Sequence, residues 1–82
     1  MADVLIGKVI HYYDKLGVAI VRINKKLGIG DKIKFVKGDN VFEQTVESMQ
    51  IEHAVLTEAK PGTEVGIKVD RSAKEGTEVY LV

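Results

Sequence analysis

The sequence contains no cysteine, which removes disulfides, thiolate metal sites, CxxC redox chemistry and cysteine nucleophiles together. Such a chain suits a reducing compartment. It has no tryptophan, 6% aromatic residues and a single proline, Pro61, which sits beside Gly62 as ordinary turn chemistry. No low-complexity stretch or linker interrupts it. Net charge is missing too: twelve basic and twelve acidic side chains cancel, so the global field that draws a protein onto nucleic acid or an anionic membrane is absent. Binding of that kind has to come from a local patch. Near the N-terminus Asp3 precedes a three-residue apolar run, Val4-Leu5-Ile6, too short for a secretory core segment and far below a membrane span. The expectation is a soluble, cytoplasmic protein with no membrane partner.

What is present points to strands. Eighty-two residues at 9.0 kDa suffice for one domain, residues 1–82, because a second core would be too small to stand without disulfides or metal. Val and Ile supply 20 of the 82 residues and strong helix formers rarely cluster, which favours an all-β chain. Gly and Asp/Asn groups cut it into six runs. Val4 to Tyr13 is turned by Asp14-Lys15-Leu16-Gly17 into Val18 to Ile23, and Asn24 to Asp31 reads as a loop. The third run, Lys32 to Lys37, alternates cleanly, with Ile33 and Phe35 inward and Lys32 and Lys34 outward. In the fourth, Val41 to Ile51, the apolar parity is even at Phe42 and Val46 but odd at Met49 and Ile51, which predicts a β-bulge near Glu47 and Ser48. Ile51 to Ala59 fits neither helical nor strand periodicity and reads as coil. Lys60-Pro61-Gly62-Thr63 leads into Glu64 to Asp70, with Val65, Ile67 and Val69 inward, and Thr77 to Val82 closes the chain. Six short alternating strands favour a closed barrel, which leaves no exposed edge; a sandwich is the alternative.

The segment Leu27-Gly28-Ile29-Gly30-Asp31-Lys32-Ile33 resembles the "vGd-x-v" turn in the second, β-barrel domain of translational GTPases such as elongation factor Tu. Glu58-Ala59-Lys60-Pro61-Gly62-Thr63-Glu64-Val65-Gly66-Ile67 is similar to that domain's "eA-x-x-Gd-x-vGl" segment, and Lys74-Glu75-Gly76-Thr77-Glu78-Val79 to its closing turn. The likeness preserves segment order over nearly the whole chain. A shorter likeness, through Ile6-Gly7-Lys8-Val9, Gly17-Val18-Ala19 and Thr45 to His53, is to small elongation factor-like proteins and to the C-terminal barrel of U32-family peptidases. The fold these resemblances imply is a closed six-stranded Greek-key β-barrel. A type II turn would place Gly62 at positive φ, and Gly66 would leave room for a close approach inside a strand.

Translational GTPases place a nucleotide-hydrolysing domain before this barrel, and its phosphate loop G-x-x-x-x-G-K-[ST] needs glycines that aim backbone N–H groups at phosphate. Here Gly7-Lys8 is followed by Val9 and no glycine stands five residues earlier, so no nucleotide is expected. The barrel segment V-E-M-F-R-K, which receives the aminoacyl end of tRNA, matches Met49 to Ala54. Gln50 and His53 stand where that segment has Glu and Arg. A neutral pair lacks the ion-assisted hydrogen bonds of the charged one, so what the resemblance implies here is a docking face.

Charge is balanced globally but not locally. Arg22, Lys25, Lys26, Lys32, Lys34 and Lys37 face only Asp31 in the stretch from 22 to 37, while residues 39 to 64 hold six acids against Lys60. One reading is a basic ridge that touches phosphates and docks on RNA or the ribosome; the other is a solvated exterior whose opposite charges pair across strands. Tyr12 and Tyr13 point to opposite faces, so one is core and the other is a surface tyrosine or a base-stacking platform. His11 and His53, with Asp14 and Glu52 nearby in sequence, make at most half a zinc site. Ser48 and Ser72 lack a nucleophile elbow, and Gly28-Ile29-Gly30 does not continue as a dinucleotide fingerprint. The expectation is therefore a non-enzymatic binding module without cofactor or metal. It contacts RNA, the ribosome or a protein through Arg22, Lys25, Lys26, Lys32, Lys34, Lys37, Gln50 and His53; the alternative is an accessory docking barrel acting beside a U32-type peptidase.

Overall fold

Alternation of β-branched and charged residues, punctuated by Gly-containing turns, builds an all-β structure. The computed structural model describes residues 4–51 and 54–82. Its strands are β1 (Val4–Tyr13), β2 (Val18–Ile23), β3 (Leu27–Gly28), β4 (Lys32–Lys37), β5 (Asn40–Thr45), β6 (Met49–Ile51), β7 (Ala54–Leu56), β8 (Glu58–Ala59), β9 (Glu64–Lys68) and β10 (Glu78–Leu81). Among the described residues there is no helix, hence none long and apolar enough to cross a membrane. Eight strands form one antiparallel sheet in the order β5-β4-β10-β1-β2-β9-β6-β7, and β3 pairs with β8.

The expected closed six-stranded Greek-key barrel is not confirmed: among the described residues no sheet closes on itself through a backbone ladder. The curled sheet is stitched instead by individual contacts. Gln44 on β5 sends its side chain to the end of β9 and the residues just after it: Nε2 donates to the Lys68 carbonyl at 2.7 Å, and the Asp70 N–H donates to Oε1 at 2.9 Å. Val46 donates its N–H to the Asp31 carbonyl at 2.8 Å and accepts from the Gly30 N–H at 2.9 Å. Asp31 also accepts the Gly28 N–H on its carboxylate at 2.8 Å, which gives the Gly-Asp turn a local reason.

Two further expectations change. The parity slip in the fourth run marks a change of partner rather than a bulge: β5 pairs with β4, the chain leaves the strand at 46–48, and β6 pairs with β7 and β9. The segment expected as coil contains β7 and β8, and the loop between β2 and β4 contains β3; these two- and three-residue strands are held by pairing, β3 with β8 and β7 with β6.

The inner face collects one cluster that includes Ile6, Val9, Val21, Ile23, Ile33, Phe35, Met49, Val65, Ile67 and Val79, all fully buried. Phe35 and Phe42 stack across β4 and β5 with centroids 4.8 Å apart and planes 9° from parallel. Tyr12 packs against this core, whereas Tyr13 is exposed and meets His11 edge to face at 4.3 Å.

The Lys60–Thr63 turn is type II. Thr63 donates to the Lys60 carbonyl at 3.3 Å, and Gly62 sits at φ 85° with open space around its Cα. Only the backbone conformation opposes a side chain there, so Gly62→Val is expected to lower unfolding free energy by about 1–2 kcal/mol. A urea titration with unchanged slope checks this; a loss no larger than that of Lys60→Ala would contradict it.

Candidate interaction surface

Of the eight residues expected to form a contact surface, the seven described ones are spread over β2, the loop after it, β4 and β6. Arg22 lies on β2, while Lys32, Lys34 and Lys37 lie on β4, with β10 and β1 between those strands. Gln50 is exposed on β6, opposite Val55 and Gly66, and β10, β1, β2 and β9 separate β6 from β4. His53 lies outside the described residues.

Most of the cations already have partners. Lys32 pairs with Glu43 at 3.3 Å and Lys26 with Glu58 at 3.2 Å. Lys37 donates to the Glu75 carbonyl at 2.6 Å, and the Lys34 ammonium stands 5.8 Å from the centre of the Tyr80 ring. These exposed contacts are individually worth little, but they spread the positive charge over a mixed exterior instead of a continuous ridge. His11 likewise faces Glu75, at 3.3 Å. Arg22 and Lys25 make no side-chain hydrogen bond or ion pair among the described residues.

A different feature lies where β1 passes from its partner β10 to its partner β2. The β1 register slips twice, between Leu5 and Gly7 against β10 and between Val9 and His11 against β2. Each slip leaves one extra residue: Ile6 turns into the core, and Ile10 turns out. Bulges bend a strand and re-aim its side chains. Beside this stretch of β1 lies an open cleft of about 750 Å³. Leu5, Ile10 and Pro61 supply apolar lining, and Lys8, Arg22 and Asn24 stand beside them with Glu78. Leu5 and Ile10 are 42% and 40% exposed. The Pro61-Gly62 turn is fixed to the end of β2 because Gly62 donates to the Ile23 carbonyl at 2.7 Å and Ile23 to the Thr63 carbonyl at 3.0 Å.

Of these residues only Arg22 is among the eight. Leu5, Lys8 and Ile10 read in sequence as unremarkable strand positions, since an apolar residue in a strand looks alike whether it faces the core or water. One signal was present: Leu5-Ile6 and Val9-Ile10 are adjacent apolar pairs, and a strand of strict period two cannot put both members of such a pair inside.

No family model matches the chain. An uncharacterized protease of Methanocaldococcus jannaschii is 40% identical over 78 residues, 94% of this chain and 19% of that protein. The chain therefore spans about a fifth of the length of the curated relative it matches. Among solved structures, the C-terminal domain of a Geobacillus thermoleovorans protein assigned to the U32 peptidases superposes with a TM-score of 0.88 at 25% identity, covering 95% of this chain and 91% of that one. Its selenomethionine variant gives a TM-score of 0.87, also at 25% identity, with coverages of 93% and 96%. These relatives do not show the likeness to the second domain of translational GTPases. Over more than nine-tenths of its length, the chain is similar to the C-terminal domain of a protein assigned to the U32 peptidases.

Proposed function

We propose that this chain is a non-catalytic docking domain of the kind found at the C-terminus of U32 peptidases, and that it holds a protein partner on its outer face. The observation that carries this reading is the extent of the match: over nine-tenths of the chain corresponds to over nine-tenths of a C-terminal domain. The protease relative is about five times longer, and its activity belongs to that whole protein. Here the chain's role is to bind beside a peptidase-like body, in the same polypeptide or in another. A cytoplasmic setting fits the cysteine-free composition.

A tagged chain incubated in native lysate, with and without ribonuclease, tests this reading. Capture of a peptidase-like protein that resists ribonuclease is the expected result. Capture that vanishes with ribonuclease would replace it with the RNA or ribosome reading, which draws on Arg22 and Lys25 as the unpartnered cations of the expected ridge. In that case affinity for tRNA would fall steeply with salt, as a surface neutralising several phosphates requires, and reversing Lys32 and Lys34 would reduce it.

A further inference from the structure

The cleft beside β1 sets two cations side by side. Lys8 and Arg22 stand directly opposite one another on β1 and β2, and like charges in that position oppose pairing of the strands. Neither has a hydrogen bond or ion pair among the described residues. The carboxylates flanking them in the same row are Glu78, opposite Lys8 on β10, and Glu64, opposite Arg22 on β9. Glu78 accepts from the Tyr80 hydroxyl at 3.3 Å instead, and Glu64 does not come within ion-pairing distance of Arg22. The Asn24 side chain, also exposed on the cleft, has no partner among the described residues. Three donor groups thus stand beside the aliphatic surface of Leu5, Ile10 and Pro61.

We infer that the cleft seats an extended peptide segment of another chain, one that presents a carboxylate to Lys8 and Arg22 and an adjacent aliphatic side chain to Leu5 and Ile10. The inference rests on the docking reading and names the partner chemistry. Charge-assisted contact to a carboxylate would relieve the Lys8–Arg22 repulsion, and Arg in particular offers a planar fork of donors that matches a carboxylate. The volume suits a few residues of extended chain. A single-stranded nucleic acid fits less well: among the described residues no aromatic side chain lines the cleft to stack a base, and the surface is largely aliphatic.

Selection of a random heptapeptide phage library on the immobilised chain tests this, with labelled oligouridylate as the competing probe. The expected result is enrichment of Asp or Glu next to Val, Ile or Leu. Synthetic peptides from the selection should shift the backbone amide resonances of Leu5, Lys8, Ile10 and Arg22. Their affinity should fall at least tenfold in a Lys8→Glu, Arg22→Glu double variant and in Leu5→Asp. A Lys8→Met, Arg22→Met variant, which keeps most of the aliphatic bulk, should lose the preference for acidic over neutral peptides. Retained thermal unfolding midpoints show that the variants are folded. Failure to select peptides, selection without acidic bias, unchanged affinity in the variants, or oligouridylate alone binding the cleft would each overturn the inference. If a lysate partner still binds the double variant, the docking reading stands and the cleft is not its site.

Discussion

Gly7→Val is expected to lower the unfolding free energy by about 3–5 kcal/mol, although Gly7 does not occupy a left-handed conformation. The cause is space. At Gly7, as at Lys8, β1 pairs on both sides, here with Val79 of β10 and Ile23 of β2. A Cβ there would lie 2.5 Å from the Arg22 carbonyl oxygen, 3.0 Å from Val21 Cγ1 and 3.1 Å from Ile23 Cα. The oxygen belongs to the neighbouring backbone and cannot rotate aside as a flexible side chain can. Accommodation requires β1 and β2 to separate where both ladders are anchored, so the cost exceeds the roughly 1–3 kcal/mol of ordinary overpacking. Gly7→Ala should show the same effect at smaller size, and both should exceed Gly62→Val, where only φ is at fault. Urea midpoints at constant slope measure the series. A Gly7→Val loss below about 1 kcal/mol would mean that β1 can move away from β2 cheaply, and the close approach would lose its structural meaning.

The second large effect is at the seam. Gln44 is 8% exposed, and its amide satisfies a carbonyl and an N–H on a segment that no ladder reaches from β5. Gln44→Met keeps the length of the side chain and removes both hydrogen bonds. The Lys68 carbonyl and the Asp70 N–H then lose their partner at a part-buried position, at an expected cost of about 2–4 kcal/mol for the two bonds together. Hydrogen exchange gives the sharper readout, because the Asp70 amide should lose protection more than amides on β1 or β2. Should Asp70 exchange at the parental rate in the variant, the side-chain bridge would not be what holds β5 against the end of β9.

Both predictions concern features that sequence patterning could not expose. A glycine inside an apolar run reads as a weak strand position, and a lone glutamine reads as surface. Each acquires its role from a neighbour distant in the chain: Arg22 is 15 residues from Gly7, and Lys68 is 24 residues from Gln44. The same applies to the cations. Lys32 and Glu43 are partners because β4 and β5 form a hairpin, and Lys26 and Glu58 because β3 meets β8. Linear charge counting saw a basic block followed by an acidic one, and the antiparallel topology folded one onto the other. The reading of opposite charges pairing across strands describes these pairs; the continuous ridge does not. At the cleft, Arg22 was legible as a basic residue in a basic block, but its placement opposite Lys8 follows from register.

Local chemistry was sufficient where an element depends on its own residues. The bounds of β1 and β2 follow from the turn residues that flank them, those of β4 from period-two alternation, and the Pro61-Gly62 turn from the backbone geometry those two residues prefer. The all-β class and the inward set around Ile33, Phe35, Val65 and Ile67 were determined in the same way, because burying one face of a strand demands alternation whatever the partner is. Tertiary structure decided the rest: which strands neighbour one another, the existence of two- and three-residue strands, the sheet bridged by Gln44, and the cleft beside β1 with its two bulges. These depend on pairing energies between segments far apart in the chain. A pattern read along one dimension contains no term for them.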